Sequence, residues 1–265
     1  MDSSGLFLIG LGPGDLALMT RRAIDMLQDM DERYLEGYTA TLPLAQENEL
    51  ENIVGPWKRA MRPQIENPRE IIEMAKSQKV AIMVVGDPMQ ATTHVDLLLR
   101  ARENGVQVTI VPGISATTLA ISSSGLQSYR FGRQVTLPYA YGDYLPTSPL
   151  RYILDNRLRN LHTLVLLDLD PTGLGIESPI HMSPSVAGQI LMQMAERWSE
   201  ENEDVDVCAW NVVVLSDLGT DQSHVCSTVI KEMNGMDGGR IHCLILPAEM
   251  DNHEQMVFDS MRYHA

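Results

Sequence analysis

The sequence predicts a protein built from two α/β domains. Three features lead to this prediction: apolar runs alternate with helical segments, glycine-rich turns follow several runs, and 265 residues suit two modest domains better than one large domain. We expect the first domain to cover residues 1–113 and the second to cover residues 114–265. The proposed boundary lies at the Pro-Gly turn of residues 112–113.

The first half of the chain has the pattern of a parallel sheet that helices cover on both faces. Apolar runs that end at a glycine or a proline predict strands at residues 5–9, 80–85 and 106–111. The spacing of apolar residues predicts one helix over residues 16–27, capped by Asp15, and a second helix that begins near Val95.

The second half repeats this alternation. Strands are predicted at residues 134–139, 163–167, 205–215 and 241–246. A short helix is predicted at residues 257–261. The acidic stretch at 199–206 and the stretch at 141–149, which is rich in Tyr, Gly and Pro, are predicted to be exposed loops.

The chain is acidic, with a formal net charge of -15 and a pI of about 4.8. An acidic surface repels phosphate backbones and anionic lipid heads, so neither nucleic acid nor membrane is an expected partner. A basic protein or a cationic small molecule suits this charge, although solubility alone explains it equally well. The opening residues show no signal-peptide pattern, and three cysteines at positions 208, 226 and 243 lack metal-ligand spacing. We therefore expect a cytoplasmic protein without a metal site.

A glycine-rich turn, Gly-Leu-Gly-Pro-Gly-Asp, follows the first predicted strand at residues 10–15. Glycines at a strand end allow the backbone to approach a ligand closely. Pro13 removes an amide that a phosphate would use, and Asp15 stands where a dinucleotide site needs a third glycine. The turn therefore disfavours nicotinamide binding, and a tight turn without any ligand stays an alternative.

A second string, at residues 86–94, lies at the carboxyl end of a predicted central strand, where open α/β sheets bind ligands. Asp87 can accept hydrogen bonds from a ligand hydroxyl or amine. Capping by Asp87 or Thr92 is an alternative that does not exclude ligand binding. His94 taken alone is more often a structural histidine.

Two further strings place a polar residue next to apolar strand residues. In residues 34–40, Glu36 lies between two tyrosines and faces either a pocket or a surface edge. In residues 239–247, His242 interrupts an apolar strand and must find a protein or ligand partner.

Together these strings resemble the tetrapyrrole-methylase superfamily over nearly the whole chain and in the same order. Residues 34–40, 91–94 and 125–132 are similar to its diphthine synthase branch. Residues 10–15 and 111–115 are more similar to the corrin and uroporphyrinogen methyltransferases.

The resemblance implies two α/β domains with a ligand cleft between them, a homodimer, and S-adenosylmethionine as the methyl donor. Many of the implied donor contacts are made by the backbone, and they fall on Pro13, Asp87, Gln90, Ser115, Ala116, Leu167, Leu215 or Ser216, and His242. We assign residues 34–40 to the acceptor side as a hypothesis. No residue is identified as a catalytic base.

The acceptor implied by the resemblance is an amine on a modified histidine of elongation factor 2, which the diphthine synthase branch methylates in diphthamide biosynthesis. The aromatic loop at 139–144 is a candidate contact for that protein. One alternative is a corrin or uroporphyrinogen methyltransferase of the same superfamily. Another is a regulatory dimer that binds the donor without turnover.

Overall fold

The computed structural model describes residues 4–172 and 174–263, which form two compact α/β units. The first unit contains the chain up to Ala116 and two short later segments that end at Pro179 and Asp221. The second unit contains most of the remaining chain. Each unit has a five-stranded sheet within the described residues, as the predicted fold class requires. None of the helices in this part of the chain is long and apolar enough to cross a membrane.

The first unit has the parallel sheet that the apolar runs predict. Its strands are β1 (Gly5–Gly10), β2 (Glu32–Glu36), β3 (Lys58–Ala60), β4 (Lys79–Val84) and β5 (Val108–Val111). Its helices are α1 (Arg21–Leu27), α2 (Leu44–Val54), α3 (Arg62–Glu66), α4 (Arg69–Ala75) and α5 (His94–Glu103). The strand order is β3-β2-β4-β1-β5, and all neighbouring strands run parallel.

Both faces of this sheet carry a hydrophobic core, because side chains along a strand point alternately to opposite faces. Leu6 and Leu8 pack on one face with apolar residues of α3, α4 and α5. Phe7 and Ile9 pack on the other face with α1 and α2. The continuous apolar strands of the sequence therefore reflect burial on both sides, as expected for a parallel sheet.

The predicted helix over residues 16–27 is wrong in its first part. Asp15 caps only a 3-10 turn at Leu16–Leu18, accepting a hydrogen bond from the backbone N–H two residues on (2.8 Å). Thr20 then caps α1 by accepting one from the N–H three residues later (3.1 Å). Two capping side chains in succession divide one apolar pattern into two short elements, because each cap fixes a new helix start.

The second unit has a mixed sheet. Its strands are β6 (Val135–Leu137), β7 (Thr163–Leu167), β8 (Asn211–Ser216), β9 (His224–Val229) and β10 (His242–Leu246). Its helices are α6 (Ala116–Ser123), of which Ala116 belongs to the first unit, α7 (Ser148–Leu158), α8 (Pro184–Ser199) and α9 (Asn252–Ser260). The order is β6-β7-β10-β8-β9, and only the β6–β7 pair is parallel.

The strand predicted at 205–215 begins later than expected. β8 starts at Asn211, since the chain turns just before it and the Asp206 carboxylate accepts a hydrogen bond from the Cys208 N–H (2.9 Å). Val205 and Val207 precede the turn at 208–209 and are not part of a strand, although Val207 is buried in the core of this unit. The acidic residues before it are exposed, as predicted.

A buried polar network around Glu254 joins three segments of the second unit. The Glu254 carboxylate, only 1% exposed, accepts hydrogen bonds from the Gln127 N–H (2.9 Å) and from His162 Nε2 (3.1 Å), and it also pairs with Arg130. His162 Nδ1 accepts a bond from the Ala248 N–H (3.0 Å), so its proton is on Nε2. The string at residues 125–133 therefore has a structural role in this network.

We predict that Glu254→Ala lowers the free energy of unfolding by about 3–5 kcal/mol, because it leaves buried donors of His162 and Arg130 without an acceptor. Hydrogen bonds and His162 hold the pKa of Glu254 below its usual range despite burial, which raises it. The stabilisation that the ionised Glu254 carboxylate provides is therefore complete above about pH 4.3, the pKa of Glu in the unfolded chain. It is lost as the pH falls through the lower pKa of Glu254 in the folded protein. Urea unfolding at pH 7 and at lower pH measures both effects.

Glu249→Ala is the matched control, because Glu249 is exposed and only its backbone carbonyl contacts Arg130. Equal unfolding free energies for the two variants at pH 7 would contradict a stabilising role for the Glu254 carboxylate.

Candidate functional site

Three glycines bring the strand ends of the first unit into close backbone contact. A Cβ atom on Gly113 would lie 2.1 Å from the carbonyl oxygen of Gly86, and one on Gly10 would lie 2.6 Å from the same atom. Gly86 also has a positive φ of 87°, a conformation that favours glycine. These positions therefore require glycine, and they leave backbone rather than side chains at this edge of the sheet.

Asp87 ties two of these strand ends together. One carboxylate oxygen accepts a hydrogen bond from the Met89 N–H (2.9 Å), and the other accepts one from the Gly113 N–H (3.1 Å). Asp87 thus stabilises the turn after β4 and holds it against the segment after β5. Each carboxylate oxygen has a further lone pair, so this role and hydrogen bonding to a ligand are compatible.

The structure brings the five predicted donor-contact residues of the first unit to one edge of its sheet. They follow three strands that are adjacent in the order β4-β1-β5. The five residues are Pro13 after β1, Asp87 and Gln90 after β4, and Ser115 and Ala116 after β5. The Ala116 N–H, at the start of α6, is the nearest backbone atom to a Cβ built on Gly86, at 4.0 Å. This edge is where open parallel sheets bind ligands.

The register of the second sheet brings together the other predicted residues. His242 pairs with Ser216 across β10 and β8, and the pairing of Cys243 with Leu166 puts His242 opposite Leu167 on β7. Leu215 points to the other face, where it is fully buried in a hydrophobic core. Of the two positions that the sequence left open, Ser216 therefore shares a face with His242, whereas Leu215 can offer only its backbone.

His242 is held by a short polar contact. Its Nδ1 lies 2.7 Å from Ser216 Oγ, and the side chain is 7% exposed. Burial lowers the pKa of His242, and His181 acts in the same direction, while Asp217 opposes them. The ring is therefore neutral at pH 7, with one nitrogen a donor and the other an acceptor.

Asp217 is a site residue that the sequence analysis missed. Its carboxylate accepts hydrogen bonds from the Arg240 N–H (2.9 Å) and the Ile241 N–H (3.0 Å), which fixes the segment leading into His242. Asp217 and Ser216 also line a pocket of about 290 Å³ in the second unit. Its positive φ of 49° is the structural feature that marks it, and no pattern of the surrounding sequence indicates that conformation.

The string at residues 34–40 does not form a surface edge, because Glu36 at the end of β2 is only 2% exposed. Burial raises the pKa of Glu36, against the opposing effects of His94, Thr39, Tyr38 and Arg62. Thr39 Oγ1 donates a hydrogen bond to one of its carboxylate oxygens (2.6 Å). A buried carboxyl group with a raised pKa is a common feature of functional sites.

Among residues 4–172 and 174–263, no group of three or more His, Cys, Asp or Glu side chains is arranged to hold a metal ion. Cys226 and Cys243 are buried, and burial raises the pKa of both thiols, that of Cys243 to about 12. Neither cysteine is therefore an activated nucleophile.

Comparison with known proteins assigns the family. The model of the tetrapyrrole (corrin/porphyrin) methylases matches residues 5–234. A diphthine synthase from Methanoregula boonei is 32% identical, over 94% of this chain and 96% of that protein. A diphthine methyl ester synthase from Neurospora crassa is 36% identical, over 91% and 88%. A crystal structure of diphthine synthase superimposes with a TM-score of 0.83 at 26% identity, covering 97% of this chain and 95% of that one.

The chain belongs to the tetrapyrrole methylase family, which confirms the predicted fold class. Within that family its relatives carry the names diphthine synthase and diphthine methyl ester synthase, so the predicted branch is confirmed as well. The assignment of individual donor-contact residues stays a prediction.

We predict that Gly113→Ala destabilises the first unit by about 1–3 kcal/mol or more, since the added Cβ would meet the Gly86 carbonyl oxygen and the backbone has to move. The same movement should weaken donor binding by displacing the Asp87 turn. Gly238→Ala is the control for unfolding alone, because a Cβ on Gly238 meets no atom within 4 Å but Gly238 lines the pocket that contains Ser216. Urea unfolding and calorimetric titration with S-adenosylhomocysteine measure the two effects, and unchanged values for Gly113→Ala would contradict the packing described above.

Proposed function

We propose that the chain is an S-adenosylmethionine-dependent methyltransferase that N-methylates the modified histidine of elongation factor 2 in diphthamide biosynthesis. The observation that carries this proposal is similarity to diphthine synthases over more than nine-tenths of the chain. The structure of each unit supports the proposal. In the first unit the predicted donor-contact residues lie at one edge of the sheet, and in the second unit they lie on adjacent strands. We also propose a cytoplasmic homodimer, by analogy with the family.

The residues of the first edge suit the donor. The glycine strand ends admit close backbone contact, the Ala116 N–H stands at a helix start, and Asp87 offers lone pairs to donor hydroxyl or amino groups. In the second unit, neutral His242 and Ser216 supply donors and acceptors without adding positive charge near a sulfonium. The bound donor supplies an activated methyl group, so the protein's task is to orient the acceptor and exclude water, which contributes roughly 7–11 kcal/mol.

The acceptor is proposed to be a protein. A net charge of -15 attracts a basic patch on a translation factor, though salt screens the attraction beyond roughly 8–10 Å. Tyr141 and Tyr144 stack at 4.6 Å in the loop predicted to contact the partner, and each is 46% exposed. Exposed tyrosines are favourable contact residues at protein interfaces.

A second candidate product is the methyl ester of diphthine. The fungal relative at 36% identity is named a diphthine methyl ester synthase, whereas the archaeal relative at 32% is named a diphthine synthase. Ester formation adds a methyl group to a carboxylate oxygen rather than to nitrogen. Mass spectrometry of the product before and after mild base distinguishes them, because base removes only the ester methyl group.

We predict methyl transfer from labelled S-adenosylmethionine to elongation factor 2 that carries the amino-carboxypropyl histidine. The rate should be unchanged in the presence of a metal chelator. Parallel reactions contain a precorrin or uroporphyrinogen. Methylation of a ring compound with none on elongation factor 2 would overturn the diphthine synthase function and retain the methyltransferase. Donor binding with no transfer to either acceptor would favour a regulatory dimer.

We predict that Asp87→Ala and His242→Ala each raise the dissociation constant for S-adenosylmethionine by about tenfold or more, as expected for losing a hydrogen bond to a charged or strongly polar ligand. Isothermal titration calorimetry measures the constant. The controls Asp96→Ala and His253→Ala remove exposed side chains of the same types and should leave it unchanged. If Asp87→Ala and His242→Ala bind S-adenosylmethionine as tightly as the wild type does, the side chains of Asp87 and His242 do not contact the donor.

A further inference from the structure

Two buried polar side chains lie together at the functional edge of the first sheet. Glu36 ends β2, and His94 begins α5 after the turn that follows β4, the neighbour of β2. Glu36 is 2% exposed and His94 is 0% exposed. The two side chains also interact electrostatically. His94 has the largest of the effects that lower the pKa of Glu36 and so oppose burial, which raises it.

One polar atom of each side chain is satisfied within the protein. Thr39 Oγ1 donates to Glu36 Oε2 (2.6 Å). His94 Nδ1 lies 2.7 Å from the carbonyl oxygen of Pro88. A carbonyl oxygen only accepts, so Nδ1 carries a proton, and Nε2 is an acceptor whenever the ring holds that one proton alone.

The other polar atom of each side chain has no partner among the described residues. Glu36 Oε1 and His94 Nε2 are both buried without a hydrogen bond. Leaving such an atom unsatisfied destabilises the folded protein. These two buried acceptors are therefore a site for N–H or O–H groups. The Tyr38 hydroxyl, which also lowers the pKa of Glu36 and is itself buried without a hydrogen bond, lies beside Glu36, and water or a ligand supplies the other donors.

A charged residue of the opposite sign belongs to the same cluster. The guanidinium of Arg62, whose side chain is 35% exposed, lies 5.3 Å from the centre of the Tyr38 ring, and it also acts on the pKa of Glu36. Arg62 is the most exposed of these charged groups, and its Nε lies 3.9 Å from Glu66 Oε1, so a ligand carboxylate would compete with that exposed ion pair. The cluster thus combines two acceptors in its interior with a cation nearer to the surface.

An amine next to a carboxylate has the complementary chemistry. The N–H groups of the amine match the two buried acceptors, and the carboxylate matches the guanidinium. The amino-carboxypropyl arm of the acceptor histidine has both groups on one carbon. We propose, on the basis of the proposed function, that Glu36 and His94 bind the acceptor amine and that Arg62 binds its carboxylate.

Glu36 then has a role in the chemical step. The amine nitrogen forms a bond to the methyl carbon, the carbon–sulfur bond breaks, and sulfur keeps the electron pair. Each transfer to a nitrogen that carries hydrogen yields an ammonium group, whose proton passes to the Glu36 carboxylate and from there to water. The fully methylated nitrogen has no N–H left, so the two acceptors no longer hold it and the product can leave.

The test uses Glu36→Gln and His94→Asn in the full chain, with elongation factor 2 carrying the amino-carboxypropyl histidine as acceptor. The Asn amide keeps a donor for the Pro88 carbonyl and has no atom at the position of Nε2. We expect kcat/KM for the first transfer to fall by about 100-fold or more in Glu36→Gln, within the range for loss of an acid–base group. The dissociation constant for S-adenosylmethionine should stay within about twofold of wild type, and the melting temperature should not change.

Glu32→Gln is the matched control, since Glu32 lies on the same strand and pairs with Lys58 at the surface. It should retain wild-type kcat/KM. A further measurement uses acceptor that is already dimethylated. Its neutral nitrogen has no N–H, so Glu36→Gln should slow this last transfer much less than the first, a difference that a general loss of folding would not produce.

The outcomes separate this inference from the proposed function. Wild-type protein that does not methylate elongation factor 2 overturns both. Active wild type with Glu36→Gln and His94→Asn equally active overturns only the amine subsite. Loss of donor binding together with transfer in both variants assigns the pair to the fold and also overturns the subsite.

Discussion

The close approach of three strand ends in the first unit is the constraint on which its functional edge depends. A Cβ atom on Gly10 or Gly113 would displace backbone of the neighbouring strand ends, and Gly86 between them has a positive φ that favours glycine. Because side chains are absent there, Asp87 can reach the Gly113 N–H and hold two loops together. The residues that follow those strands are then presented at one edge of the sheet, and Glu36 ends the next strand, β2, at the same edge.

The second unit also brings polar groups together, but through the register of its strands. Its sheet is mostly antiparallel, so its polar edge comes from register and not from glycine turns. His242 and Ser216 face each other on adjacent strands, and burial keeps the imidazole neutral. Asp217 fixes the segment before His242 through two backbone N–H groups. The first unit thus offers mainly backbone to a ligand, and the second offers side chains.

Much of the first sheet could be predicted, because its strands are buried on both faces and therefore read as continuous apolar runs. The helix at 16–27 was predicted less well. The helical spacing of apolar residues continues past Thr20, but Thr20 caps a new helix there and so divides the segment in two. The strand at 205–215 was predicted too long, because the turn at Asp206 interrupts it. Of the candidate site, the sequence singled out the strings around Asp87 and His242 but not Asp217, because the hydrogen bonds of Asp217 depend on a loop 23 residues later.

The sequence by itself determined the family, the methyl donor that this family uses, the glycine strand ends and the position of the apolar strands. These are local properties, carried by short strings and by the spacing of side chains within one segment. Only the tertiary structure decided that Ser216 and not Leu215 shares a face with His242, and that Glu36 is buried near His94. The reason is that register and burial arise from pairing between segments far apart in the chain, which no single segment encodes.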